Sequence, residues 1–168
     1  MRVENGPVVL RDFKKDDIPQ KVKWINDPKN NEYLHYDLPL NVKKTESWFD
    51  NKDNTKRQDC IIEYNGVSVG LIGLISIDEE NNKAEYYISM GEDDYKHKGI
   101  ATTATQMIVQ YAFVTLGLHK VYLNVDESNE IACKLYEKTG FKCEGVFYDE
   151  LLKNNKYINR KRYAIINQ

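Results

Sequence analysis

Cysteine is scarce in this chain. Cys60, Cys133 and Cys143 are odd in number and lack the spacing of metal ligands. Neither a disulfide framework nor a metal site is expected, and a reduced, cytoplasmic setting is. No Cys–His signature of a thiol nucleophile accompanies them. Long hydrophobic runs are missing as well. The most apolar stretch, "VSVGLIGLISI" (residues 67–77), is too short to span a bilayer. The opening "MRVENGPVVLRDF" has no charged-then-apolar signal sequence, so no membrane partner is expected. Nor does one charge dominate. A formal net charge of −2 argues against a nucleic-acid binder working by bulk electrostatics. Gly-x-Gly-x-x-Gly and Gly-x-x-x-x-Gly-Lys-Ser/Thr are both absent, which argues against a dinucleotide dehydrogenase and a P-loop enzyme.

What is present reads as one soluble domain over residues 1–168, with 41% hydrophobic and 30% charged residues. "PVVLRDF" (residues 7–13) reads as a first strand, and "KKDDIPQKVKWIND" as a short helix closed by Asp27-Pro28. "VKKTESWFDN" reads as a second helix. A hairpin turns at Asn65-Gly66, whose residue types supply the positive φ angles of a two-residue turn. "AEYYISM" (residues 84–90) follows as a strand. From Ala101 the apolar period becomes helical and stops near Gly117. "KVYLNV" alternates like a strand, "SNEIACKLYEKTG" is a helix capped by Ser128 or Asn129 and stopped by Gly140, and a last hairpin turns at Asn154-Asn155. The strands flanking the helix of residues 101–116 can run parallel through a right-handed crossover. The expected class is α/β, a mixed fold around one sheet.

One loop stands out: "DYKHKGIATTA", residues 94–104. A strand–loop–helix junction leaves N–H groups pointing outward at the helix N-terminus, where the dipole adds roughly half a positive charge. Gly99 allows close approach to bare backbone and Ala101 is nearly as small, while Lys96, His97 and Lys98 raise the potential. A phosphate or pyrophosphate is the favoured guest. The competing reading of the loop by itself is a surface turn that starts a helix.

A second segment decides between them. "VDESNEIACKLYEKTGF" (residues 125–141) resembles a characteristic segment of the GNAT superfamily of acyl-CoA N-acyltransferases, matching at Asn129, at Ala132 and in "LYEKTGF". The loop resembles the family's pyrophosphate loop, reading Lys96-x-x-Gly99-x-Ala101, with Lys in place of the usual Arg or Gln and His97 where glycine is frequent. The element order agrees along essentially the whole chain. The resemblance implies a mostly antiparallel sheet with a parallel central pair splayed around acyl-CoA and helices on both faces. It implies acetyl-CoA as co-substrate, held by Lys96, His97, Lys98, Gly99, Ile100, Ala101 and Thr102. Ile88, Ser89 and Met90, with Asn129 and Ala132, would contact the pantetheine and thioester. Tyr136 matches the family's general acid, since a phenol with pKa near ~10 stays protonated and can protonate a thiolate. Its bland reading is packing beside Leu135 and Phe141. Glu85 stands where relatives place a carboxylate that relays a proton through water, or is a strand-end residue facing solvent. His35 and His119 are isolated histidines, and His119, in "GLHKVYL", reads as structural.

The implied acceptor pocket lies in "DPKNNEYLHYDLPLN" and "FYDELLKNNKY", which offer Glu32, Tyr33, Tyr36, Asp37, Tyr148 and Asp149. Aromatics beside carboxylates suit an amino sugar or a polyamine. The chain most resembles the subgroup holding ribosomal-protein N-terminal and spermidine N-acetyltransferases, and "KWINDPKNNEYL" is similar to enzymes acting on nucleotide-linked amino sugars. The expected activity is N-acetylation of a small amine (polyamine or amino sugar) or a protein N-terminus. The alternative is a non-catalytic acyl-CoA sensor. Relatives are often dimers or larger, so a homo-oligomer fits the resemblance.

Overall fold

The computed structural model describes residues 1–168 and holds one eight-stranded sheet. In chain order the strands are β1 (Arg2–Asn5), β2 (Val8–Asp12), β3 (Gln58–Tyr64), β4 (Val67–Asp78), β5 (Lys83–Met90), β6 (Lys120–Asp126), β7 (Lys142–Lys153) and β8 (Lys156–Ile166). The helices are α1 (Ile18–Asn26), α2 (Pro28–Asn31), α3 (Val42–Asn51), α4 (Ile100–Gln110) and α5 (Glu130–Lys138). Across the sheet the order is β1-β2-β3-β4-β5-β6-β8-β7. Every neighbouring pair is antiparallel except β5 and β6, which α4 joins in parallel.

Local chemistry accounts for most boundaries. The β3–β4 hairpin turns on Asn65 and Gly66 at φ 49° and 81°, and the β7–β8 hairpin on Asn154 and Asn155 at 51° and 61°. These are the left-handed angles that a tight two-residue turn needs. Asn129 caps α5, its Oδ1 accepting from the Ala132 N–H at 3.3 Å, and Gly140 at φ 98° lets the chain leave the helix.

Three boundaries depart from expectation. "RVEN" forms an extra edge strand, because Gly6 at φ 59° turns the chain back onto β2. Asp27-Pro28 does not simply end a helix: Asp27 accepts from Lys29 N–H and starts the short α2. The α4 helix stops at Gln110, and residues 111–115 continue as one wider π turn before Gly117.

Side-chain alternation divides β5 and β6 between two cores. Ala84, Tyr86, Val121, Leu123 and Val125 face the larger core with α4 and α5. Tyr87 faces the smaller one, where Phe13, Trp24, Ile25 and Leu71 pack under α1 and α3. Glu85 and Ser89 therefore share the α1–α3 face with Tyr87, as do Tyr122, Asn124 and Asp126 of β6. No helix is long and apolar enough to cross a membrane.

Candidate active site

β5 and β6 pair only at Lys83–Lys120, Ala84–Val121 and Glu85–Tyr122. Beyond that point the strands part, although β5 stays on β4 as far as Met90 and β6 stays on β8 through Asp126. The β6-facing edge of residues 86–90, which includes Ile88, Ser89 and Met90, is left without a strand partner. An opening in the middle of a sheet exposes backbone donors and acceptors that some other group must satisfy.

The chain leaves β5 at Gly91, which lies flat on the Trp24 indole with no room for a Cβ. It then enters the basic loop. His97 takes φ 64° and Gly99 φ 76°, and no side chain caps α4. Thr103 N–H reaches Gly99 O at 3.1 Å, but the N–H groups of residues 97–102 find no acceptor in the protein. This succession of free donors at a helix N-terminus, beside the open edge of β5, is suited to cradle an anion. Lys96 is tied sideways, donating to Asn30 Oδ1 and Asp93 Oδ1 at 2.7 Å each. The Lys98 ammonium sits 5.5 Å from the centre of the Tyr95 ring.

Tyr136 lies buried on the α5 side of the opening, its ring 5.8 Å and edge-on to Tyr86. Its hydroxyl makes no hydrogen bond within the protein. The only sealed side-chain polar atom without a partner is Gln20 Nε2, so the Tyr136 oxygen keeps contact with accessible space. Burial pushes the phenol well above its usual range and keeps it protonated at neutral pH. The same effect holds the Cys60 thiol at about 12.

On the opposite face Glu85 accepts from Asn124 Nδ2 at 3.1 Å, and Asn124 Oδ1 accepts from Arg162 Nε at 2.8 Å. Nearby, the buried Asp126 carboxylate accepts from Arg160 Nε at 3.2 Å and lies 2.8 Å from His35 Nε2. Sequence reading missed Asn124, Asp126, Arg160 and Arg162, and took His35 for an isolated histidine. The alternation in "KVYLNVD" was the available signal, since it puts Tyr122, Asn124 and Asp126 on one face.

The acceptor candidates fall into separate places. Tyr36 and Asp37 line a cleft of about 590 Å³ between α1, α3 and the segment joining α2 to α3. Glu32 contributes its carbonyl, which accepts from Lys153 Nζ at 2.7 Å, and Tyr33 is half-buried beside it. Tyr148 is 76% exposed on the β7 bulge, and the adjacent Asp149 is held by Asn159. Neither reaches the Tyr36 cleft. Their neighbour Glu150 instead lines a second hollow with Asn124, Arg160 and Arg162.

Relatives fit this geometry. The spermidine N(1)-acetyltransferase of Escherichia coli K12 is 37% identical over 113 residues, 67% of this chain and 60% of that one. The match thus spans less than two thirds of that relative's length. The Vibrio cholerae O1 enzyme of the same name is 34% identical over 114 residues, 68% of this chain and 65% of that one. A crystal structure of the spermidine N-acetyltransferase from Vibrio cholerae, in complex with CoA and spermine, superposes with a TM-score of 0.89 at 26% identity, over 96% of both chains. The sequence profile of the acetyltransferase (GNAT) domain matches residues 8–142, and the chain belongs to the GNAT acetyltransferase family.

Proposed function

We propose that the protein transfers the acetyl group of acetyl-CoA directly to a primary amine. The observation that carries this is the run of unpaired N–H groups at residues 97–102 beside the opening between β5 and β6. A pyrophosphate satisfies those donors without a metal, and the free β5 edge at Ile88, Ser89 and Met90 suits the amide-bearing pantetheine arm and the thioester oxygen. The side-chain cap made by Asn129 fixes the start of α5 and with it the height of Tyr136 at the opening.

In this reading the amine approaches from the α1–α3 face, where Glu85 takes its proton through water. Attack forms a tetrahedral intermediate whose oxyanion is held by β5 N–H groups. Collapse expels the CoA thiolate, which Tyr136 protonates. A phenol held in its protonated form is a donor throughout neutral pH, and the departing thiolate is a stronger base than water.

Thiol release from acetyl-CoA, followed across a panel of amines, tests the reading. A saturable signal is expected with the wild type. Tyr136→Phe should lower kcat by 10²- to 10⁴-fold, the usual worth of a positioned general acid, and leave acetyl-CoA affinity within about twofold. Acetyl-CoA binding with no turnover of any amine would favour a sensor instead. Absence of binding would remove the reading altogether.

A further inference from the structure

The cleft on the α1–α3 face carries the wrong charge for a polycation. Lys21, Lys44 and Arg57 line it against a single carboxylate, Asp37. A neighbouring hollow of about 370 Å³ shares Trp48 and Arg57 and adds Lys52 and Lys56 against Asp53. The two hollows meet at Trp48 and Arg57, and this basic trough, as we call the pair, has five cations and two carboxylates on its walls. Asp59 stands behind Arg57 and Lys52 and is consumed by them. Lys21 and Lys44 enter none of the lysine salt bridges. In a chain of formal net charge −2, so basic a concavity is a local departure that focuses a positive potential.

The aromatic face is already taken. The Lys21 ammonium lies 3.8 Å from the Trp48 ring centre, with Arg57 at 5.0 Å and Lys52 at 5.2 Å. An incoming ammonium would find its cation–π partner occupied and three like charges around it. Lys21 is only 9% exposed, and its desolvated charge is what an anion would relieve.

The trough also adjoins the reaction face. Asp59, the partner of Arg57, accepts from the Tyr87 hydroxyl at 2.6 Å, and Tyr87 stands between Glu85 and Ser89 on the same face of β5. We propose that the acceptor is a primary amine bearing phosphate, with the phosphate seated among Lys21, Lys44 and Arg57 while the amine reaches the opening beside Glu85. This rests on the acetyl-transfer reading and narrows its acceptor. Several cations spread over two adjacent hollows match a multiply charged oxyanion better than a single carboxylate.

Matched acceptors test it: glucosamine, glucosamine 6-phosphate, spermidine and glutamate, each with saturating acetyl-CoA. The phosphate ester should exceed glucosamine and spermidine by at least tenfold in kcat/KM. Lys44→Glu, on an exposed helix position, should abolish that preference chiefly through KM for the ester, leaving the KM for acetyl-CoA in place. A direct readout comes from fluorescence, because Trp24 and Trp48 are the only tryptophans. Titration with glucosamine 6-phosphate should quench the wild type, and Lys44→Glu should weaken the midpoint about tenfold. Preference for spermidine, preference for glutamate, or an indifferent Lys44→Glu would each overturn the proposal. Quenching by the ester without acetyl transfer would preserve the phosphate site and sink the transfer reading. Spermidine turnover without quenching would do the reverse.

Discussion

Lys21 shows how far a single residue can depart from its type. Burial lowers its ammonium to about 8, with Asp59 opposing the shift and Arg57 and Lys52 adding to it. The folded state thus binds the lysine proton less tightly than the unfolded chain, whose lysine titrates near ~10.4. Between pH 8 and pH 10.5 the unfolded state carries more protons, so this group's contribution to stability rises with pH across that window and is unfavourable below it. Lys21→Met removes the titration. The stability of wild type minus that of Lys21→Met, from urea unfolding, should increase from pH 8 to pH 10.5; a flat difference would mean that Lys21 is solvated. None of this was legible in sequence, where "QKVKWIN" gave only helical spacing. Tyr136 stands out as a candidate because its neighbours form a contiguous motif, whereas the His35–Asp126 contact spans 91 positions and leaves no local trace.

Whole elements were easier to read than their ends. The Asn-Gly and Asn-Asn hairpins and the helix ending at Gly140 each follow from residues within a few positions of one another, and the parallel pair from the strand–helix–strand order around α4. The π turn after Gln110 does not, and the "RVEN" edge strand, although it turns locally at Gly6, escaped the sequence reading. The loop before α4 is the element to which the proposed function assigns acetyl-CoA binding, and its backbone gives a direct test. Gly99 holds φ 76° with nothing within 4 Å of where a Cβ would stand, so Gly99→Ala meets no clash. The variant should lose about 1 kcal/mol from the left-handed conformation alone, by thermal or urea unfolding. Its acetyl-CoA affinity should fall by about tenfold or more by calorimetry, because the new methyl enters the space that the free N–H groups face. His97 adopts φ 64° at a similar cost in the native protein, so His97→Gly should raise stability by up to about 1 kcal/mol while leaving the cradle able to bind. Unchanged affinity in Gly99→Ala would place the pyrophosphate elsewhere.

At the scale of the molecule, one buried carboxylate ties the end of α3 to β3 and β5 on the α1–α3 face. Asp59 on β3 accepts from Arg57 at 2.7 and 2.8 Å, from Lys52 at the end of α3 at 3.0 Å, and from Tyr87 on β5 at 2.6 Å. Desolvation alone would raise its pKa, but the hydrogen bonds from Arg57, Tyr87 and Lys52 outweigh it and bring the group down to about 2. The folded pKa lies below the unfolded value of 3.8, so its stabilisation is fully present above pH 4 and is lost as pH falls toward 2. Asp59→Asn should therefore do two separable things. At pH 7 it should cost about 3–5 kcal/mol, the usual penalty for leaving buried cations without their counter-charge. Below pH 3 the gap to wild type should narrow, because the native carboxylate is then being protonated as well. Acid titrations of both proteins by circular dichroism, with urea unfolding at each pH, would show whether the curves converge. Parallel curves would place the acid-sensitive step elsewhere. Convergence would mean that the same cations lining the proposed phosphate trough also depend on Asp59 to hold α3 against β3 and β5, so that acceptor affinity and neutral-pH stability should decline together in this variant.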